Sequence, residues 1–270
     1  MNICIIQPDI ISDEVEKNLQ HCGELIRSLE NGNGNIQILF LPEMFATGFP
    51  AKKEQAEPPL TDENGNENPQ AKIQQWMKHI AGELNVVVVG TLAVKEAGIY
   101  NRLVWMRPTG EYFTYDKKHL FGAEKEIYEE GGQIVTVQEQ GWNFRLNICY
   151  DLRFPVWCKN RRLYNDTLDY DVAVFPSSWP RPRIDVWKTL IPARAVENLA
   201  YSIGINRSGK DINGTRYNGQ STVCDSLGNI VMQLDEKPQA SVITLNKNHL
   251  EKLRRQTTVS HDWDMFEIKN

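Results

Sequence analysis

Apolar residues fall into two rhythms along the chain: short unbroken runs, and longer stretches where they recur every three or four positions. Ile3, Cys4, Ile5 and Ile6 form a run closed by Gln7-Pro8, which predicts a buried strand. Val15, Leu19, Cys22, Leu25, Ile26 and Leu29 then recur at helical spacing, with Ser12 and Asp13 as candidate caps and Asn31-Gly32-Asn33-Gly34 as the stop. Residues 36–41 are again apolar. The chain therefore opens as strand, helix, strand, which implies a parallel pair joined by a helical crossover.

Residues 50–69 are polar and rich in Glu, Asn and Pro, and read as a loop: a lid beside a site, or a surface excursion. A second helix is predicted over 71–84, with Ile73, Trp76, Met77, Ile80 and Leu84 facing inward. The β-branched run 86–89 suits a strand covered on both faces. Segments 100–106 and 111–115 flank Pro108-Thr109-Gly110 and predict a hairpin. The second half repeats the alternation. Strands are predicted at 142–148, 171–175, 201–206 and 240–245, a helix at 186–199, and a hairpin of 220–224 with 230–234 around Leu227-Gly228-Asn229. No shift in composition divides the chain. One α/β domain over 1–270, with sheets covered by helices, is the expected organisation.

Composition narrows the classes of function. With 270 residues, 41% hydrophobic and 24% charged, the chain has the make-up of a soluble globular protein that can bury its own core. A formal net charge of −5 gives no reason to expect nucleic acid or an anionic membrane as partner. Cys4, Cys22, Cys149, Cys158 and Cys224 are odd in number and irregularly spaced. They support neither a metal site nor a disulfide framework, and free thiols suit a reducing compartment. The first residues lack the basic region of a leader peptide, and no apolar run reaches the length of a membrane span. Cytoplasm is the expected location.

Three segments each place a reactive side chain near a strand end, where sites collect in α/β sheets. They are Leu41-Pro42-Glu43, Lys117-Lys118-His119-Leu120-Phe121, and Ile148-Cys149-Tyr150-Asp151-Leu152-Arg153-Phe154-Pro155. Taken singly, each has a plainer reading: a solvated loop glutamate, surface lysines, a small buried cysteine. As a set they supply what acyl transfer needs. A thiol nucleophile requires a base, because a free cysteine is mostly protonated near neutrality. A carboxylate serves when burial raises its proton affinity. A developing oxyanion requires a fixed donor or positive charge. Glu43, Cys149 and Lys117 fill these roles. His119 is the one histidine in such a motif, and it reads as a structural hydrogen-bonding residue.

These three segments, in this order, resemble the signatures of the nitrilase superfamily of carbon–nitrogen hydrolases. The resemblance implies a four-layer α-β-β-α sandwich, assembled as a homodimer. It implies Glu43 as general base, Lys117 as stabiliser of the tetrahedral intermediate, and Cys149 as the nucleophile that forms the acyl-enzyme, with the backbone N–H of Tyr150 completing the oxyanion site. It also implies a second glutamate ahead of Gly131. Counting back gives Glu124, with Glu126 as the alternative, and its expected work is to orient Lys117. No metal or organic cofactor is implied.

Further phrases are similar to the omega-amidase branch: Met44-Phe45-Ala46-Thr47-Gly48-Phe49, Arg153-Phe154-Pro155-Val156-Trp157, Pro176-Ser177-Ser178-Trp179-Pro180 and Asn206-Arg207-Ser208-Gly209. That branch hydrolyses the terminal amide of 2-oxoglutaramate or 2-oxosuccinamate. A carboxylate-bearing substrate calls for a cation in the pocket, and Arg181 and Arg183 are the candidates because a guanidinium binds a carboxylate in a fork. Trp179 and Phe45 are candidate pocket walls, with core packing the alternative, and Arg153 is expected to brace the nucleophile turn. A general short-chain amidase, a carbamoylase or a nitrilase would use the same catalytic set, and a non-catalytic binding homologue is the reading from another class.

Overall fold

The computed structural model describes residues 1–29, 35–164 and 167–268; the helix stop predicted at Asn31-Gly32-Asn33-Gly34 lies outside them. The first half builds β1 (Asn2–Gln7), α1 (Val15–Arg27), β2 (Ile38–Phe40), α2 (Lys72–Leu84), β3 (Val87–Lys95), β4 (Ile99–Met106) and β5 (Tyr112–Asp116). The second half builds β6 (Thr136–Glu139), β7 (Trp142–Leu146), α3 (Pro155–Cys158), β8 (Val172–Pro176), α4 (Ile184–Asn198), β9 (Tyr201–Ile205), β10 (Ser208–Lys210), β11 (Arg216–Asn218), β12 (Thr222–Cys224), β13 (Ile230–Gln233), β14 (Gln239–Thr244) and α5 (Lys247–Arg255).

Two six-stranded sheets result, ordered β14-β1-β2-β3-β4-β5 and β13-β12-β9-β8-β7-β6. Each has a parallel centre, β1-β2-β3 in one and β7-β8-β9 in the other, flanked by antiparallel strands. Side-chain alternation decides the layering. Ile3 and Ile5 of β1 point into a core shared with Phe144, Leu146, Val172 and Val174 of the second sheet. Cys4 and Ile6, one position out of phase, pack beneath Leu19, Cys22 and Ile26 of α1 and Met77 and Ile80 of α2. Trp187, Ile191 and Ala195 of α4 cover the second sheet. The order is helix, sheet, sheet, helix, as the resemblance implied.

One local expectation is corrected. Neither Ser12 nor Asp13 caps α1. The N-cap is Glu14, without a side-chain cap bond, because Asp13 turns into the left-handed region at φ +67° and pairs with Lys52 at 2.6 Å. Asn18 ties down the entry instead, bonding Ile11 through its N–H and C=O and donating to Ala46 O at 2.8 Å. The polar loop 50–69 starts at the cavity that Cys149 lines, with Pro50 on its wall, and also anchors α2. The Glu57 carboxylate accepts from the backbone N–H of Ile73 (2.9 Å) and Gln74 (3.0 Å), as a carboxylate does at a helix N-terminus.

Candidate active site

Three sequence-distant segments meet at one end of the paired sheets, where β2, β5 and β7 finish. Glu43 follows β2, Lys117 follows β5, Glu124 sits in the short helical turn Gly122–Glu126, and Cys149 follows β7 and opens the turn Cys149–Arg153. Glu43, Lys117 and Glu124 are fully buried, whereas Cys149 is 7% exposed and lines a cavity of about 550 Å³. Lys117 Nζ donates to Glu43 Oε1 at 2.7 Å and to Glu124 Oε2 at 2.6 Å. The Cys149 thiol lies within electrostatic reach of Glu43, Lys117 and Glu124. Glu126, the alternative to Glu124, lies outside this cluster and is exposed.

The backbone explains why these residues can converge. Met44, next to Glu43, and Cys149 itself hold φ at +51° and +43°. Such conformations are costly for a non-glycine residue and persist only where the surroundings enforce them. Met44 is held by a bond from its N–H to Thr91 Oγ1 at 3.0 Å. The Cys149 turn is held by Asp151, whose carboxylate accepts from Ile148 N (2.9 Å), His119 N (3.0 Å) and Tyr115 Oη (2.7 Å). Arg194 adds two bonds to Leu152 O, at 3.0 and 2.6 Å. Gly131 donates its N–H to Lys117 O at 2.9 Å, and a Cβ there would fall 2.0 Å from Asp116 O, so only glycine allows this approach.

Electrostatics follow from burial. Desolvation lifts the Cys149 thiol well above its ordinary value of 9.0; the negative charge of Glu43 adds to the rise, and Lys117 opposes it. Burial thus favours the neutral thiol form of Cys149 over the thiolate. Burial works against the Lys117 ammonium, but Glu43 and Glu124 overcome it and hold the lysine above its usual range. Glu124 is raised above 4.5, mainly by burial and against the pull of Lys117.

The substrate-side candidates divide. Trp179 and Arg183 line the cavity; the Trp179 indole N–H donates to Arg183 O at 2.8 Å, and the Arg183 guanidinium lies 4.5 Å from the Phe121 ring centroid. Arg181 does not reach the cavity wall: it projects into solvent from the turn Arg181–Arg183. Phe45 does not wall the pocket either. The turn at Met44 sends it to the outer core, against Trp76 at 5.7 Å, and Phe49 takes the place at the cavity. Arg153 is not a brace. It is exposed on the cavity wall, and its side chain makes no hydrogen bond or ion pair with any described residue. His119 is structural: its ring bonds Asp151 at 2.8 Å and stacks on Phe154 with centroids 3.6 Å apart. Tyr150 also lines the cavity.

Sequence reasoning missed Asn101 and the bonding role of Ser178. Ser178 N donates to Glu43 Oε2 at 2.9 Å and its hydroxyl to Glu43 O at 3.0 Å. Asn101 Nδ2 donates to Glu43 Oε1 and Glu124 Oε1, both at 2.8 Å. The available signal was an amide in phase with Leu103 and Trp105, on the face of β4 that alternation assigns to the interior. No group of acidic, histidine or cysteine side chains suited to a metal ion is found among the described residues. Nor is any of their helices long and apolar enough to cross a membrane.

The family model described as carbon-nitrogen hydrolase matches residues 2–255. The omega-amidase YafV of Yersinia enterocolitica is 33% identical over 98% of this chain and 98% of its own. The 2-oxoglutaramate amidase of Bacillus subtilis is 29% identical over 86% of this chain and 85% of its own. Among solved structures, a CN-hydrolase superfamily protein of Xanthomonas campestris, with an arsenic adduct in its active site, superposes with a TM-score of 0.90 at 33% identity, covering 100% of this chain and 99% of that one. An amidase of Nesterenkonia with acrylamide added at its active-site cysteine shares the fold at a TM-score of 0.76 and 22% identity, over 95% of this chain and 99% of that one.

Proposed function

The chain belongs to the carbon–nitrogen hydrolase family, and from that premise we propose that it is an omega-amidase-type amidohydrolase. It cleaves the terminal carboxamide of a small 2-oxo dicarboxylate monoamide, such as 2-oxoglutaramate or 2-oxosuccinamate, to the acid and ammonia. The observation that carries this reading is the placement of Cys149, under the electrostatic influence of buried Glu43 and Lys117, on the same cavity as two guanidinium groups, Arg183 and Arg153, neither in an ion pair with a described residue. A thiol beside a buried carboxylate suits acyl transfer. Guanidinium groups on the cavity wall without an ion pair suit a carboxylate carried by the acyl group.

In this mechanism Glu43 takes the Cys149 proton as sulfur bonds to the amide carbon. Lys117 and the Tyr150 N–H hold the oxyanion. The carbon–nitrogen bond breaks as Glu43 returns its proton to the leaving ammonia. A water then gives a proton to Glu43 while attacking the thioester, and the released sulfur recovers that proton as the acid departs. Glu124 orients Lys117 and keeps it charged. These groups supply the base, the acid and the charge that the reaction calls for, so the scheme uses no metal or organic cofactor. The reading also takes residues 1–270 as one catalytic domain, acting as a homodimer in the cytoplasm.

The experiment is ammonia release from a panel of 2-oxoglutaramate, 2-oxosuccinamate, glutamine, a carbamoyl amino acid, propionamide and an aliphatic nitrile. The 2-oxo monoamides should exceed the rest in kcat/KM. Preference for the nitrile or the carbamoyl compound would overturn the substrate assignment, and no release from any of them would overturn the enzyme reading.

A further inference from the structure

We propose that Asn101 is a positioning residue that holds Glu43 and Glu124 as two separate, simultaneously ionised carboxylates on Lys117. This rests on the reading of Glu43 as the base for Cys149. The geometry is specific. One buried amide nitrogen has two hydrogens, and each goes to a different carboxylate, Glu43 Oε1 and Glu124 Oε1, at 2.8 Å. Lys117 bonds the same Glu43 oxygen and the other oxygen of Glu124. The four side chains are fully buried, and with both carboxylates ionised the cluster would carry one negative charge in excess of its single ammonium.

Two buried carboxylates so close would ordinarily share a proton, because like charges at short range cannot both ionise without compensation. A shared proton would leave Glu43 unable to accept one from Cys149. Asn101 opposes this by donating to the charged form of both. Its own carbonyl shows that the arrangement serves the carboxylates: Oδ1 is buried and has no partner in the structure. Turning the amide over would bring Oδ1 within 2.8 Å of two carboxylate oxygens, a repulsive contact unless one of them were protonated. The backbone fixes the position, since the Asn101 C=O accepts from Lys117 N at 2.9 Å and Asn101 pairs with Ala93 across β3 and β4. One residue thus registers both the lysine and the two glutamates. The other titratable groups facing the pair are Cys149, Tyr128, whose hydroxyl donates to Ala51 O, and Tyr217 of β11.

The test reads the proton inventory without needing the physiological substrate. Iodoacetamide alkylates Cys149 as the sulfur–carbon bond forms, iodide leaves and the thiol proton passes to Glu43. The rate is followed by mass spectrometry from pH 5 to pH 9 in the wild type, Glu43→Gln, Asn101→Leu and Asn101→Asp. Without the two donors the pair protonates more readily. The acid limb in Asn101→Leu should therefore move to higher pH by about one unit, a rate about tenfold lower on that limb. Asn101→Asp, close in size but with an added acid, should move it further. If Glu43→Gln leaves the wild-type profile intact, the base reading fails, whatever Asn101 does. If Glu43→Gln alters the profile while both Asn101 variants keep the wild-type acid limb, the proposal fails and the base reading stands. Loss of the fold in both Asn101 variants, read by circular dichroism, would assign Asn101 to the scaffold and also overturn it.

Discussion

Lys117 Nζ stands 2.7 Å from Glu43 Oε1 across a sequence separation of 74 residues, and neither side chain is exposed. A contact of this kind is costly to build and costly to break, because removing one partner strands a buried charge. The site is therefore also a stability element. Lys117→Met should destabilise the protein by about 3–5 kcal/mol at pH 8. Glu124 is already raised above its ordinary value by burial, so the native state binds a proton more readily than the unfolded chain. Stability then rises as pH falls through the native value. The penalty of Lys117→Met should accordingly shrink at pH 6 in urea unfolding; an equal penalty at both pH values would contradict the charge account.

Reactivity should concentrate on one thiol. Burial pushes Cys4, Cys22 and Cys224 up to about 12, and it raises Cys158 as well. Cys149 is also raised, but it lines the cavity and has a carboxylate at hand to take its proton. One equivalent of iodoacetamide should label Cys149 alone in peptide mapping. Cys149→Ala should abolish labelling and lower turnover by on the order of 10⁴-fold or more, with unchanged circular dichroism. Comparable labelling of the other cysteines in the folded protein would show that accessibility does not govern this chemistry.

Asp151 and His119 separate scaffold from catalysis. Asp151 terminates three buried donors, from Ile148, His119 and Tyr115. Asp151→Ala leaves them unmatched, at about 1–3 kcal/mol each, so a loss of at least about 3 kcal/mol is expected in urea unfolding. His119→Phe keeps a ring over Phe154 and gives up one side-chain bond. Its kcat should stay within about tenfold of wild type, since general-base loss would cost about 10²–10⁴-fold. A larger fall for His119→Phe than for Glu43→Gln would transfer the base role to the histidine.

The pattern of the sequence carried the central strands because burial on both faces leaves an unmistakable apolar run, as at Val87–Val89, and because Ile3 and Ile5 alternate with Cys4 and Ile6 between two cores. The strand ends then pointed to Glu43 and Cys149. Peripheral elements were less legible. β6, β10 and β11 are short, polar, and paired on few positions, so their sequences resemble loops. Side-chain direction after a strand was illegible too. Phe45 and Phe49 are equally apolar, and the left-handed turn at Met44 decides which of them meets the cavity. Asn101 was hidden for a related reason: its work is defined by two carboxylates that arrive from other segments.

Arg183 should set the preference for a carboxylate-bearing amide. It reaches the cavity wall from the turn after Trp179, is steadied by the indole bond to its backbone carbonyl, and lies over Phe121 without a described carboxylate partner. A guanidinium held this way gains most from a ligand that supplies the missing anion. A hydrogen bond to a charged group is worth about 1.5–3 kcal/mol, so Arg183→Ala should raise KM for 2-oxoglutaramate by roughly 10–150-fold. KM for propionamide, which has no carboxylate, should stay within about twofold. Arg183→Lys should recover part of the loss, because an ammonium keeps the charge and gives up the fork. Arg181→Ala, two residues away and pointing into solvent, should behave as wild type on both amides. An equal rise in KM for the charged and the neutral amide in Arg183→Ala would mean that the arginine shapes the cavity wall, and the anion would then have to be sought at Arg153.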